Sequence, residues 1–448
     1  MAYGQIKGRK PFERASKIAH TEILNNPDVR AFVEGCTLPS APPGAQLEAL
    51  QKPLPPAEAR IKAVIAVDGG LTEVAVRKEF PSASVAFLTF GPLLLKLEDL
   101  KELDRSPFIA PEDMARLKNL QRYSLVLPTK AVRAPAAGSF KAGVRRTIQA
   151  FMAERQPELL KALQWLLYRE WVPGGASPKG PRTVPKCPTC EEEAGGRSFV
   201  HGGPIEQTCQ ACGQAIYFTD VLRLYERVDE EQGAGGIMAY LLSTLEQLVI
   251  VHVIRSILAM KPAALREVLL IRDGPLAFFG VTAPLRKPMM ELMKYLSERD
   301  QGKPLICLVG LEKGGHFVEH ASLVAPELKA DHYLMLDSDY VYKYVQPGDP
   351  TGNPFGSNTY YGGKLIYKSA RGDVFVATIP TKQYLSKPGI EDLLNAPEVL
   401  RVVAELRCAM YDSALLPVVL ANKLVSLADV PSSEILKRFV RDGVMEAG

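Results

Sequence analysis

The chain has 448 residues, of which 47% are hydrophobic and 23% are charged, a composition that excludes collagen and intrinsic disorder. Its net charge of +4 is too small for a polycation, so any affinity for nucleic acid must come from a local basic surface. The length predicts two or three domains, or one large domain with insertions.

The first 57 residues are predicted to form an N-terminal helix and a proline-rich arm. Residues 10–34 have a helical pattern that ends near Gly35, and six prolines lie between Pro39 and Pro56. No long apolar run follows the first ten residues, so the N-terminus does not have the pattern of a secretory signal. We therefore expect a cytoplasmic protein.

An α/β domain is expected over residues 58–430, interrupted by insertions. Its first strand, AVIAVDGG, ends in Asp68 and two glycines, and a second β-like run follows at residues 85–90. Residues 91–180 carry helical signals, at 111–119 and 141–171, and are predicted to form a helical insertion.

Two cysteine pairs, Cys187-Pro-Thr-Cys190 and Cys209-Gln-Ala-Cys212, are separated by eighteen residues. Each pair has the spacing of a zinc knuckle, and together they supply the four thiolates of a tetrahedral structural zinc site. Because no coordination position remains for water, we predict a structural zinc ribbon over residues 181–220 in preference to a redox dithiol. A ribbon can also contact DNA or a partner protein, and the motif does not distinguish these roles. Seven cysteines are too few for a disulfide scaffold, which also favours a reducing compartment.

The most apolar stretch, residues 237–260, contains Glu246, His252 and Arg255. Because charges are costly in lipid, a buried helix of a soluble protein is predicted, without membrane association. Glu246 is the only acid in this stretch and needs a partner or a metal. A metal ligand, a solvent-facing side chain and a partner of Arg255 all remain open, whereas His252 is predicted to be a core histidine.

Two aspartates follow apolar strands and precede glycine, Asp68 in AVIAVDGG and Asp273 in LLIRDGPL. If the two strands are neighbours, their ends bring the carboxylates together, and a hard cation such as Mg²⁺ or Mn²⁺ then offsets their repulsion. Such a cluster is typical of metal-dependent phosphodiesterases. Taken singly, each Asp-Gly pair is better explained by a plain turn.

In the C-terminal half, residues 333–345 and 360–380 are predicted as strands on either side of the loop QPGDPTGNPFGSN. The chain from Glu391 is predicted to be helical, with an apolar centre at 414–427 and a tail at 431–448. Strands alternating with helices favour an α/β domain with mixed strand directions.

Several further side chains have both a functional and an ordinary interpretation. Lys313 in GLEKGG either holds a phosphate or is a solvated surface lysine. Asp337 and Asp339 either add an acid to the site or mark a solvated strand end. A basic stretch could follow a DNA backbone, and two tyrosine rings could stack on bases or pack in the core. These residues are Arg145, Arg146, Lys179, Arg182 and Lys186, and Tyr360 and Tyr361.

The order of five segments resembles the NurA nucleases: AVDGG, an acid on a long apolar helix, LLIRDGPL, LVGLEKGGHFVEH and LLPVVLANKLVSL. The resemblance covers about residues 60–90 and 237–430. It implies a ribonuclease-H-like mixed α/β sheet flanked by helices, with the helical region and the zinc ribbon as insertions. It also implies a homodimer that acts with a HerA-like hexameric DNA-translocating ATPase.

Carried over residue by residue, the resemblance implies that Asp68, Glu246 and Asp273 hold Mn²⁺ or Mg²⁺ for cleavage of DNA at or near its ends, in repair or in defence against foreign DNA. Where family members usually have a tyrosine and a histidine on the last helix, this chain has Ala414 and Asn422. Asn422 can coordinate a metal or orient water, but it cannot act as an acid or base. A catalytically weak or inactive DNA-binding adaptor of the same ATPase complex is therefore the alternative, and a zinc-ribbon protein of RNA metabolism is a further one.

Overall fold

The computed structural model describes residues 23–36, 39–77, 82–98, 122–134, 137–172, 180–301, 303–406, 415–425 and 436. The chain divides into two units, Met1–Ser40 and Ala41–Gly448. In the first unit, helix α1 (Pro27–Gly35) is capped by Asn26, whose side chain accepts hydrogen bonds from the next turn. Some predicted features lie outside the described residues, namely the helix at 111–119, Lys179, Ala414 and, Leu436 apart, the tail at 431–448.

The second unit contains a nine-stranded mixed sheet and a small ribbon with two hairpins. The strands in chain order are β1 (Lys52–Pro53), β2 (Ala63–Ala75), β3 (Ser84–Lys96), β4 (Tyr123–Lys130), β5 (Arg182–Val184), β6 (Arg197–Phe199), β7 (Glu206–Thr208), β8 (Ala215–Tyr217), β9 (Val268–Asp273), β10 (Cys307–Glu312), β11 (His332–Met335), β12 (Gly362–Lys368) and β13 (Val374–Pro380). The large sheet has the spatial order β1-β11-β12-β13-β10-β9-β2-β3-β4. Strands β2, β9 and β10 run parallel, and the other neighbours pair antiparallel.

Helices cover both faces of this sheet. In chain order they are α2 (Gly44–Leu50), α3 (Phe140–Ala150), α4 (Pro157–Tyr168), α5 (Met238–Met260), α6 (Arg286–Glu298), α7 (His316–Val324), α8 (Ser338–Tyr344), α9 (Ala396–Glu405) and α10 (Leu416–Val425). Helices α3 to α6 belong to one hydrophobic core, and α9 and α10 to another. The predicted fold class, a mixed α/β sheet flanked by helices, is confirmed.

Strand β2 separates the two cores because successive side chains of a strand point to opposite faces. Ile65 and Val67 pack with α5, whereas Val64 and Ala66 pack with α9 and α10. All four side chains are at most 8% exposed. The central strand is therefore held from both sides, which explains why its sequence is an almost continuous apolar run rather than an alternating one.

Helix α5 forms the centre of the first core, as the sequence predicts. Within the described part of the chain it is the one helix long and apolar enough to span a membrane, and 67% of its most apolar window is buried in the protein. Leu241, Leu245 and Leu248 on this helix are all at most 1% exposed. Packing against protein thus accounts for its apolar sequence.

The prediction of a strand over residues 333–345 is only partly correct. The strand ends at Met335, and α8 begins at Ser338 because the Asp337 carboxylate accepts a hydrogen bond from the amide of Tyr340 at 2.8 Å. A side-chain acceptor at this position stabilises the first turn of a helix, and it overrides the β propensity of the tyrosines and valine that follow. Residues 360–380, predicted as strand, form the β12–β13 hairpin.

Part of the predicted proline-rich arm has regular structure. Helix α2 lies within it, and β1 pairs antiparallel with β11 at one edge of the large sheet. Leu47 and Leu54 are buried, at 1% and 5% exposure. The prolines therefore accompany an edge strand, a position where the missing amide donor costs no ladder hydrogen bond.

Arg145 ties the ribbon to helix α3 instead of facing solvent. Its guanidinium donates to both carboxylate oxygens of Asp220, at 2.9 and 2.6 Å, and to Thr189 between two of the cysteines. Arg145 and Asp220 are both about 4% exposed. The interpretation of Arg145 as a DNA-backbone contact is therefore wrong, because its charge is already paired inside the protein.

We predict that Arg145→Met lowers the free energy of unfolding by roughly 3–5 kcal/mol, because it leaves the Asp220 carboxylate buried without its partner. Urea unfolding measures the change. Lys161→Met, which removes a solvent-exposed ion pair with Glu158, is the control and should cost less than about 1 kcal/mol. Equal losses in the two variants would contradict the structural role of Arg145.

Candidate functional site

The register of β2 and β9 places two carboxylates side by side. These strands are parallel, with Val67 opposite Arg272, so the next residue in each strand is Asp68 and Asp273. Strand β9 ends here, whereas β2 continues for seven residues paired with β3. Asp68 thus lies where the parallel pairing stops, and not at the end of its own strand as the sequence suggested.

Asp68 is buried and only half satisfied. It is 3% exposed, and its Oδ1 accepts a hydrogen bond from the Gly69 amide at 2.8 Å. Its Oδ2 is buried and has no hydrogen-bond partner among the described residues. Burial, together with the negative charge of Asp273, raises the pKa of Asp68 to about 6, against the smaller lowering effects of Lys313, the Gly69 amide and Asn422.

Asp273 lies on the solvent-accessible side of the site and forms an ion pair with Lys313, the lysine that the sequence suggested. The Lys313 ammonium donates to Asp273 Oδ2 at 2.8 Å. The two side chains are 34% and 21% exposed. Lys313 follows β10, the parallel neighbour of β9. Three adjacent parallel strands therefore place Asp68, Asp273 and Lys313 at the same end of the parallel ladder, in the middle of the sheet.

Asn422 approaches Asp68 from α10. This helix packs on the face of β2 that also carries Val64 and Ala66, with Val418 and Ala421 in the core. Asn422 itself is exposed, and its side chain lowers the pKa of Asp68. The structure therefore brings the predicted amide to the carboxylate pair.

Glu246 reaches the centre from the opposite face, on α5. It is 6% exposed and lies over Gly69, where a Cβ atom would come within 2.8 Å of its Oε1. Its Oε2 accepts a hydrogen bond from Arg272 at 3.2 Å. Burial raises the pKa of Glu246 to about 7, the Arg272 charge lowers it, and the two aspartates raise it. The suggested partner Arg255 instead pairs with Glu158 at 2.5 Å.

The three predicted metal-binding carboxylates do not converge into one cluster. Among the described residues, the four cysteines are the one group of three or more candidate ligands whose atoms all lie within 4.8 Å of one another. The pleat of the sheet separates Asp68 and Asp273 from Glu246, and Arg272 holds Glu246 on its own side. Sequence reasoning missed Arg272, although a charged residue within an apolar strand, next to Asp273, signals a buried partner.

The carboxylate pair has the properties of a hard-cation site. Two adjacent carboxylates, one with a buried oxygen that lacks a donor, repel each other until positive charge lies between them. Asp68, Asp273 and the Asn422 carbonyl supply oxygen ligands, which suit Mg²⁺ or Mn²⁺. These residues therefore fit the predicted cation, with Glu246 held apart from them.

The four cysteines form a second, separate centre. Cys187 and Cys212 have their sulfurs 3.7 Å apart, and Cys190 and Cys209 have theirs 3.8 Å apart. A tetrahedral zinc ion with Zn–S bonds of about 2.3 Å places its sulfurs about 3.8 Å from one another. The four thiols are thus arranged for a closed zinc site, as their spacing predicts.

The backbone explains why the sulfurs converge. After each cysteine pair, the next residue has a left-handed conformation, with φ of 62° at Glu191 and 72° at Gly213. Its amide donates to the carbonyl of the first cysteine of the pair, Cys187 or Cys209, at 2.9 and 3.0 Å. These two equivalent turns direct both sulfurs of each pair to a common point. Gly195 is required nearby, because a Cβ atom there would lie 2.6 Å from Cys209 Sγ.

Several other candidates have ordinary structural roles. Tyr360 and Tyr361 are buried, at 8% and 0% exposure, so they pack in the core and do not offer rings to bases. Asp337 caps α8, and Asp339 forms an exposed pair with Lys387 at 2.5 Å. His252 lies 3.3 Å from the Arg255 guanidinium, and burial and that charge lower its pKa.

Comparison with known proteins finds no matching family model and no matching curated protein. Among solved structures, the chain is similar to the NurA nuclease from Sulfolobus solfataricus, with 8% identity, coverage of 97% of this chain and 98% of that chain, and a TM-score of 0.37. It is also similar to NurA bound to dAMP and manganese, with 13% identity, coverage of 98% and 100%, and a TM-score of 0.29. Because both TM-scores are below 0.5, function is inferred from the geometry of the site itself.

We predict that the purified protein contains one zinc ion per chain and that Cys209→Ser loses it, because three thiolates leave the tetrahedral site open and weaker. Elemental analysis measures the zinc, and limited proteolysis should then cut within residues 181–220. Cys36→Ser, at an exposed cysteine in the first unit, is the control and should retain zinc. Unchanged zinc in Cys209→Ser would contradict the assignment.

We predict that Asp68→Asn stabilises the protein by roughly 1–3 kcal/mol at pH 7 in the absence of added Mn²⁺ or Mg²⁺, because the neutral amide removes a buried charge beside Asp273. Between about pH 4 and 6 the folded wild type keeps a proton on Asp68 that the unfolded chain has released, so wild-type stability falls as the pH rises through this window. Urea unfolding at pH 4 and pH 7 measures the effect. The gain should be largest at pH 7 and near zero at pH 4, and a loss at pH 7 would contradict the repulsion.

Proposed function

We propose that this protein is a metal-dependent nuclease that hydrolyses phosphodiester bonds of DNA, with Mn²⁺ or Mg²⁺ held by Asp68 and Asp273. The observation that carries the proposal is the buried carboxylate of Asp68 beside a second carboxylate, Asp273, at the end of β9, where the site opens to solvent. A folded protein keeps such a repulsive pair at a cost in stability, and such pairs are concentrated at functional sites.

The residues around the pair suit a phosphodiester substrate. The chemistry that a bound cation supplies is activation of water and stabilisation of the leaving oxygen. Lys313 is one-third exposed at the mouth of the site, so its ammonium can donate to a phosphate oxygen of the bound strand. Asn422 can orient water or ligate through its carbonyl, but it cannot act as an acid or base. The side chains of this protein therefore contribute the positioning of water and substrate and the neutralisation of phosphate charge.

The resemblance of the five sequence segments supports the finer parts of the proposal. On that basis the substrate is DNA at or near its ends, the nuclease domain spans residues 58–430, and the ribbon is an insertion. The same resemblance supports a cytoplasmic homodimer that acts on a HerA-like hexameric ATPase, whose translocation would feed DNA to the nuclease. Repair of broken ends and defence against foreign DNA would use the same chemistry.

A non-catalytic adaptor is the second candidate, and one observation favours it. Glu246 is engaged by Arg272, and Asn422 cannot act as an acid or base, so the site has fewer reactive groups than the sequence suggested. Such a subunit would bind DNA or the ATPase without cleaving DNA. The two candidates differ in whether metal ions produce cleavage.

Cleavage of end-labelled linear DNA with Mn²⁺, with and without a HerA-like ATPase, tests the nuclease proposal. Asp68→Asn and Asp273→Asn should each lose at least about 100-fold in rate, because each removes a charged metal ligand. Asp339→Asn, which changes an exposed carboxylate paired with Lys387, should retain the wild-type rate.

Each variant must keep its zinc and its far-UV circular dichroism spectrum for the comparison to hold. Absence of cleavage by the wild type under every condition, with DNA or ATPase binding intact, would overturn the nuclease proposal and support the adaptor. Cleavage of RNA in place of DNA would instead support a role in RNA metabolism.

A further inference from the structure

We propose that Arg272 takes the place of a second metal ion at this centre, so that the protein binds one Mn²⁺ per chain in addition to its zinc. This inference rests on the proposed function, since it concerns the same carboxylates. It differs from the sequence-based expectation, in which Asp68, Glu246 and Asp273 ligate metal together.

Arg272 is fixed from several directions. It is the residue before Asp273 in β9 and is 4% exposed. Its Nη2 donates to Glu246 Oε2 at 3.2 Å and to Ser243 Oγ at 2.7 Å, and its Nη1 donates to the carbonyl of Pro275. Two α5 side chains and the turn after β9 therefore hold the guanidinium in place, so it forms part of the folded core.

The charge of this group is permanent, because a guanidinium does not lose its proton in proteins. It lies against the one carboxylate that α5 contributes to the centre. A divalent cation placed at Glu246 would therefore meet a fixed positive charge at the distance of a hydrogen bond. Glu246 is neutralised from within the protein and needs no metal ion.

The sheet separates the two sets of groups. Arg272 and Glu246 meet on the face that packs with α5, whereas Asp68 faces α10, from which Asn422 approaches. Asp273 follows Arg272 in the strand and so points to the Asp68 face, where Lys313 binds it. The donor set for a metal is therefore two carboxylates and an amide, which together suit one ion.

Glu246 then acts as a positioning residue and does not ligate metal. Its carboxylate lies over Gly69, whose amide donates to Asp68, and the absence of a side chain at Gly69 makes this approach possible. Through Arg272 it also fixes the strand residue adjacent to Asp273. Both effects hold the metal-binding aspartates without direct contact with the metal.

The test is a titration of the zinc-loaded protein with Mn²⁺, in which electron paramagnetic resonance measures free Mn²⁺ and isothermal calorimetry gives the stoichiometry. The wild type should bind one Mn²⁺ per chain. Arg272→Gln should bind two, because Glu246 becomes an unpaired buried carboxylate whose charge a second cation can neutralise. Arg272→Lys keeps the charge and should bind one.

Two further variants separate the role of Glu246 from a general effect of losing an arginine. Arg255→Gln removes an arginine of α5 that pairs with Glu158 of α4, away from Arg272, and should bind one Mn²⁺. Glu246→Gln should still bind one Mn²⁺ per chain, with a Kd roughly 10–100-fold weaker, since loss of a residue that positions the ligands typically costs this much affinity. In the Arg272→Gln background, Glu246→Gln should return the stoichiometry from two to one.

The outcomes distinguish this inference from the proposed function. Two Mn²⁺ per wild-type chain, one per Arg272→Gln chain, or no Mn²⁺ bound by Glu246→Gln would each overturn the role of Arg272 and leave the nuclease proposal standing. Absence of Mn²⁺ binding by the wild type would overturn both. If Arg272→Gln fails to fold, as judged by circular dichroism and zinc content, the Mn²⁺ stoichiometries of the wild type and of Glu246→Gln still test the role of Arg272.

Discussion

The parallel pairing of β2 with β9 is the constraint on which the candidate site depends. Once Val67 lies opposite Arg272, Asp68 and Asp273 must be neighbours, and two like charges are held together at the point where the pairing ends. Nothing local to either strand favours this arrangement. The packing of β2 between two hydrophobic cores supplies the free energy that keeps the carboxylates adjacent.

Because the strands are pleated, adjacent charged residues point to opposite faces of the sheet. Along β9, Arg272 points to α5 and Asp273 to the opposite face, so consecutive residues serve different partners. Each carboxylate of the region except Asp68 then has a cation beside it, Arg272 for Glu246 and Lys313 for Asp273. Asp68 keeps an unsatisfied oxygen, and this is the physical reason to place a metal ion there and not at Glu246.

The two candidate metal centres differ in the type of ligand and in their openness to solvent. The cysteine centre is a closed set of four soft ligands built by two equivalent backbone turns, and its core partner Arg145 joins it to α3 through Asp220 and Thr189. The carboxylate centre has few hard ligands and an exposed side at Asp273. A closed thiolate site stabilises structure, whereas an open oxygen site leaves room for water and substrate.

The sequence by itself determined what depends on local spacing. The cysteine pairs, the two aspartates after apolar runs and the buried character of α5 were all readable, because knuckles, strands and helices impose short periods on the chain. Tertiary structure decided which charges meet. Arg272 and Glu246 are 26 residues apart and pair only because α5 packs on β9, and Arg145 meets Asp220 across 75 residues. Residue spacing carries no signal for such contacts, since they arise from the packing of whole elements and not from the period of any one of them.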